Sequence, residues 1–152
     1  GPRPVTRQLL DVFETYGETV IGVAEERPED VSAFGVVAGI EVSKDTFRVT
    51  QMVEKPRVED APSTMVIAGR YILPGDIFDV LDRTPRGKGD EVQLTDAIRL
   101  LLESRDGYAL RFQGQRYDVG NKLDFVCTNV LFALEREDTR EELKAFLRGL
   151  DL

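Results

Sequence analysis

The sequence predicts an α/β or α+β domain built on a mixed sheet, and three observations predict it. Apolar runs of strand length, such as Thr19–Ala24 and Met65–Leu73, are interspersed with segments whose apolar residues recur every three to four positions. The order reads helix, several strands, helix, helix, strand, helix, helix, which packs helices against a sheet rather than against one another alone. The 152 residues, 41% hydrophobic and 32% charged, are enough for one domain with a core. No repeat, low-complexity run or linker divides them, so the chain reads as one piece of a domain or one small domain.

Val5 to Tyr16 is predicted helical, with Leu9, Leu10, Phe13 and Tyr16 on one side and Gly17 as the stop. Thr19 to Ala24 follows as a buried strand, and Glu25 to Asp30, with Pro28 and four carboxylates, as a loop or short solvated turn. Phe34 to Val42 and Phe47 to Val53 form a predicted hairpin about the polar turn Ser43-Lys44-Asp45. Pro56 ends the second strand, because proline cannot donate to a ladder. A polar connection leads through Pro62 to the strand Met65 to Leu73.

Asp76 is placed to cap a short helix carrying Ile77, Phe78, Val80 and Leu81, and Thr84 to Glu91 is a charged, glycine-containing loop. Leu94, Ala97, Ile98, Leu101 and Leu102 mark a helix from Leu94 to Ser104 with Gly107 at its exit. Tyr108, Leu110 and Phe112 alternate with their neighbours as in a half-buried strand. Two helices close the chain. The last opens on a Thr139 to Glu142 capping box and is predicted to bury Leu143, Phe146, Leu147 and Leu150.

Composition excludes several chemistries. There is no histidine, which removes Ser-His-Asp and Cys-His catalysis and histidine metal sites together. Cys127 is the one cysteine, so there is no internal disulfide; in the run Phe125-Val126-Cys127 it reads as a small buried hydrophobe. A formal charge of −8 without a basic cluster argues against nucleic acid. No run approaches the roughly 18 apolar residues of a membrane span. With no signal-peptide pattern either, the expected location is cytoplasmic. Any chemistry is left to carboxylates, lysines, backbone groups and a magnesium ion.

Three clusters could carry it: Val53-Glu54-Lys55-Pro56, Gly89-Asp90-Glu91 running into Gln93-Leu94-Thr95-Asp96-Ala97-Ile98, and Tyr117-Asp118-Val119-Gly120-Asn121-Lys122. Singly, each has a plain reading: a charged strand end finished by proline, a helix N-terminus with Thr95 or Asp96 near the cap, and a turn. Together and in this order, with Phe34-Gly35-Val36-Val37, Ala61-Pro62-Ser63 and Ala68-Gly69-Arg70-Tyr71-Ile72-Leu73, they resemble the bacterial UTP–glucose-1-phosphate uridylyltransferases (UDP-glucose pyrophosphorylases) from about Phe34 to the C-terminus.

The resemblance implies an α/β fold, the C-terminal part of a Rossmann-like nucleotidyltransferase mixed sheet flanked by helices. It implies that residues 1–152 are a single partial domain, the sugar-phosphate-binding half. The implied reaction is magnesium-dependent transfer of UMP from UTP to glucose 1-phosphate. Lys55 resembles the lysine that meets phosphate, and Glu54 the carboxylate that accepts hydrogen bonds from glucose hydroxyls. Asp118 resembles a magnesium-binding aspartate and Lys122 a neighbour that helps neutralise phosphate, or else a surface ion-pair partner. Gly35 and Gly69 let the backbone approach uridine or sugar, or are simply strand glycines. The Gln93 to Ile98 helix shapes and supports the pocket rather than entering it.

Glu54 and Lys55 are adjacent, and adjacent residues of a regular strand point to opposite faces. Both can serve one ligand only if the strand ends there, as Pro56 requires. The family's G-x-G-T-R-x-x-P loop, which cradles the triphosphate, and its earlier magnesium aspartate are not found among these residues. The expectations are therefore that the N-terminal half is missing and that the chain alone is inactive. It should also expose a sheet edge and apolar surface and form a homo-oligomer. Two alternatives are the same fold with another nucleotide or sugar, and a non-catalytic module for assembly or sugar-phosphate sensing.

Overall fold

A computed structural model describes residues 3–117, 119–120 and 122–150, which fall into two compact units, Gly1–Gly114 and Gln115–Leu152. The first unit holds helices α1 (Val5–Tyr16), α2 (Ile77–Arg83) and α3 (Leu94–Leu101). Its strands are β1 (Thr19–Glu25), β2 (Gly35–Ser43), β3 (Thr46–Glu54), β4 (Met65–Ile72) and β5 (Gly107–Arg111). The predicted α/β class with a mixed sheet and flanking helices is what forms.

The strand order is β1-β4-β2-β3-β5, and the sheet closes because β5 runs parallel to β1 and antiparallel to β3. Each strand of the ring has a neighbour on both sides, but β2 meets β4 only at Val36 and Val66, where the closure is narrowest. Closure is an all-strand property that no local pattern carries. Register shifts at Gly22/Val23 and Ala38/Gly39 supply the local bends.

The two faces of β1 and β5 divide the core. Ile21, Val23 and Ala109 join Val37, Met52, Met65 and Ile67 with Ile77, Val80, Ala97, Ile98 and Leu101 of the helices. Val20, Tyr108 and Leu110 instead pack on Leu9 and Val12 of α1, with Val5, Phe13 and Tyr16. The α1 face therefore runs through Val5, Leu9, Val12, Phe13 and Tyr16, and the predicted Leu10 lies outside it. Gly17, at φ 69°, ends the helix with its N–H on the Phe13 carbonyl. Strand β5 is buried on both faces, not half-buried as its alternation suggests: α1 covers Tyr108 and Leu110, and the main core covers Ala109 on the side that the sequence left to solvent.

Other local expectations shift for identifiable reasons. The acidic segment after β1 forms a 3-10 turn, Pro28–Ala33, that buries Val31. Asp76 precedes α2 but makes no capping bond with its side chain. Arg105 holds that carboxylate at 3.0 Å, together with Glu18 at 2.9 Å, and an ion pair across elements displaces the cap. Helix α3 stops at Leu101, three residues early. Gly107 belongs to β5, where a Cβ would lie 2.4 Å from Leu102 Cδ2, so its glycine serves close packing rather than a helix exit. At the hairpin turn, Arg111 pairs with Asp45 at 2.8 Å and with Glu25 at 3.1 Å, fastening β2 and β3 to the β1 and β5 ends.

In the second unit, α4 spans Lys122–Glu135 and α5 Arg140–Arg148. Cys127 is exposed, contrary to its apolar setting in sequence. Thr139 makes no capping bond, because its hydroxyl donates to the Ala133 carbonyl at 2.7 Å. Leu143 and Leu147 are half-buried, whereas Phe146 and Leu150 are exposed, as are Leu123, Phe125 and Val126 on α4. A single partner helix covers only part of an apolar stripe this wide, so the predicted burial of Phe146 and Leu150 does not occur within the unit. No helix among the described residues is long and apolar enough to cross a membrane.

Candidate functional site

The site builds from the end of β3. Glu54 is its last residue and pairs with Gly35, the first residue of β2. The ladder continues one bond further, with the Lys55 N–H donating to the Phe34 carbonyl at 3.0 Å. At that residue the backbone turns left-handed, φ 44°. A non-glycine residue there carries about 1–3 kcal/mol of strain. The turn answers the problem of adjacent residues facing apart: Lys55 Nζ stands 4.0 Å from Glu54 Oε1, both on one side of the strand end. Pro56 is buried behind them. The proline marks where the strand stops, but the left-handed lysine is what brings the two charges together.

The Glu54 side chain is 16% exposed and Lys55 46%, so the carboxylate is sheltered and the ammonium reaches outward. The Thr95 hydroxyl donates to Glu54 Oε2 at 2.7 Å. Thr95 is buried in the first turn of α3, where the helix dipole favours an anion. It caps nothing: the helix is preceded by Gln93, and the Thr95 side chain turns instead to the sheet. A Cβ on Gly35 would lie 2.8 Å from Ile67 Cδ1, 2.9 Å from Glu54 Oε2 and 3.2 Å from Thr95 Oγ1. The glycine is thus required by the protein's own packing, which fills the space a ligand would enter from that direction. Tyr71 completes the surround, its phenol pushed above the usual tyrosine range by burial and then by the Glu54 charge.

Gly69 is exposed at φ 69°, and nothing lies within 4 Å of where its Cβ would be, so its backbone is open to a ligand. Lys122 is exposed at the first position of α4. Asp118 lies outside the described residues. The structure brings together Gly35, Glu54 and Lys55 of the sequence-predicted set, and adds Thr95, Tyr71 and Ile67. Thr95 and Tyr71 stand inside blocks that the sequence singles out, yet only the packing of α3 and β4 assigns them to Glu54.

A family model for nucleotidyl transferases matches residues 4–133. The chain belongs to the nucleotidyl transferase family. Its sequence is 43% identical over 149 residues to the UTP–glucose-1-phosphate uridylyltransferase of Staphylococcus epidermidis, covering 98% of this chain and 52% of that enzyme. The Streptococcus pyogenes enzyme of the same name is 42% identical over 146 residues, covering 95% of this chain and 48% of that one. The chain thus spans about half the length of the curated relatives it matches.

Solved structures agree. A UDP-glucose pyrophosphorylase complexed with UDP-glucose is 35% identical with a TM-score of 0.83, covering 87% of this chain and 50% of that one. The UTP-bound enzyme of Acinetobacter baumannii is 30% identical with a TM-score of 0.84, covering 95% and 50%.

Proposed function

We propose that this chain carries the sugar-phosphate-binding part of a nucleotidyltransferase that moves UMP from UTP to glucose 1-phosphate, giving UDP-glucose and pyrophosphate. One observation carries the reading: a sheltered carboxylate and an outward ammonium, Glu54 and Lys55, share one side of a strand end through a left-handed turn. Strand ends are where α/β sheets bind ligands. The names and the solved ligand complexes of the relatives point to the same substrates.

The chemistry suits such a pair. A phosphate oxygen of glucose 1-phosphate forms a bond to the α-phosphorus of UTP as the bond to the β-phosphate oxygen breaks, and pyrophosphate leaves. No proton transfer is needed on the attacking oxygen, so a site without histidine is adequate. The task is to bring two anions together and hold them in line. Lys55 offers a compact cation to phosphate, and Glu54 a fixed acceptor to a sugar hydroxyl. Gly69 leaves the backbone accessible, and Lys122, in the second unit, carries a further positive charge of the kind that suits phosphate.

Magnesium fits the donor chemistry through Asp118, since that ion takes one or two protein carboxylates and completes its shell with phosphate and water. Among the described residues, no three histidine, cysteine, aspartate or glutamate side chains group as a metal site. When bound, the ion would neutralise phosphate charge. The triphosphate cradle is not among these 152 residues, so the chain by itself is expected to be silent. A partner segment supplying that cradle and self-assembly through the apolar residues of α4 and α5 belong to the same proposal.

Calorimetric titration with glucose 1-phosphate tests the assignment of the sugar-phosphate half. Binding that weakens at least about tenfold in Lys55→Ala, roughly 1.4 kcal/mol, is the expected result. Absence of binding, or binding indifferent to Lys55 and Glu54, refutes it. Pyrophosphate release by the unaided chain, lost in Asp118→Asn, would instead overturn the division of labour.

A further inference from the structure

We infer that Thr95 is a positioning residue for Glu54, committing one carboxylate oxygen to the protein so that the other alone is presented to a neutral hydroxyl donor. An ionised carboxylate only accepts, so in the 2.7 Å contact the Thr95 hydroxyl is the donor and Oε2 is engaged. The remaining oxygen, Oε1, is the one facing Lys55 Nζ at 4.0 Å. That distance is beyond a hydrogen bond, so the lysine orients by charge and leaves Oε1 able to accept from a ligand.

Three features show that the arrangement is built for this. Thr95 lies 41 residues from Glu54 in sequence, and its side chain reaches from the first turn of α3 to the strand end. Gly35 leaves the volume the pair occupies, since a Cβ there would be 2.9 Å from Oε2 and 3.2 Å from Thr95 Oγ1. Ile67 closes the apolar side of the same pocket, its Cδ1 at 2.8 Å from that Cβ position. Rotation of the carboxylate away from Thr95 therefore gives up the hydroxyl bond that holds Oε2. A single fixed acceptor beside a phosphate-binding lysine selects one hydroxyl at a set distance from the phosphate, which is how a hexose phosphate is told from free phosphate.

The choice of ligand rests on the function proposed above, and the test separates the two. Side-chain rotamers of Glu54, read from three-bond NMR couplings, are compared in the wild-type chain, Thr95→Ser and Thr95→Val. Glucose 1-phosphate affinity is measured in parallel. The expectation is one rotamer in wild type and Thr95→Ser, averaging in Thr95→Val, and about tenfold weaker binding in Thr95→Val with serine near wild type. Thr95→Ala gives the same reading if valine disturbs the packing. A single Glu54 rotamer in a variant lacking the hydroxyl, or averaging without loss of affinity, overturns the positioning role. If the wild-type chain ignores glucose 1-phosphate while its Glu54 rotamer still depends on the hydroxyl, the positioning role stands and the proposed substrate falls.

Discussion

Replacing Gly35 by alanine puts one methyl group into the tightest part of the site. The new carbon would lie 2.8 Å from Ile67 Cδ1, 2.9 Å from Glu54 Oε2 and 3.2 Å from Thr95 Oγ1, against the roughly 3.5–4.0 Å of relaxed contacts between carbon atoms. Ile67 is 9% exposed and part of the main core, so it has little room to retreat. Glu54 can retreat only by giving up the Thr95 hydroxyl. Overpacking of this kind costs about 1–3 kcal/mol, and a charge-assisted hydrogen bond alone is worth about 1.5–3. A loss of about 2 kcal/mol is expected, which lowers a urea midpoint by roughly 1 M at a slope near 2 kcal/mol/M. Far-UV circular dichroism in urea measures it. Gly69→Ala is the control, because its Cβ meets nothing within 4 Å and only the left-handed φ of 69° opposes it. Its cost is about 1 kcal/mol. Trimming Ile67 to valine removes the δ carbon and should return part of the loss in the Gly35→Ala background. An unchanged midpoint in Gly35→Ala, or no coupling to Ile67→Val, would refute the claim that protein atoms fill this space.

Three further outcomes follow from the same structure. Lys55→Gly should be more stable than Lys55→Ala by about 1 kcal/mol, because glycine relieves the left-handed backbone at φ 44°; equal denaturation midpoints would show that no strain is held there. Thr19 has a buried hydroxyl with no hydrogen-bond partner, so the isosteric Thr19→Val should raise stability by about 1 kcal/mol, read from the same urea curves. Tyr71 and Tyr108 should ionise above the usual tyrosine range when followed at 295 nm, Tyr71 through burial and then the charge of Glu54, Tyr108 mainly through burial. A phenol raised in the fold binds its proton more tightly than in the unfolded chain, so its contribution is intact below about pH 10 and is lost as pH rises above that. Glu54→Gln should bring the Tyr71 transition partway down.

How much of this was legible beforehand differs from element to element. The α1 bounds, the hairpin of β2 and β3, and the end of β3 before Pro56 follow from short-range chemistry: helical periodicity, a polar turn, a residue without an N–H. The choice of Glu54 and Lys55 came from ordered sequence blocks. The conflict over their facing came from strand geometry, and φ at Lys55 resolved it. The capping roles given to Asp76 and Thr139 failed because each side chain found a different partner, Arg105 in one case and the Ala133 carbonyl in the other. Cys127 failed because an apolar neighbourhood in sequence does not say which face of a helix is covered.

The sequence by itself determined the class of fold, most of its elements and the pair of charges at one strand end, since each depends on residues a few positions apart. Only the tertiary structure decided that the sheet closes, that the main core buries the Ala109 face of β5, and that Thr95 and Gly35 belong to Glu54. Those facts join residues separated by tens of positions, and their energies arise only when the chain has brought both partners to one place.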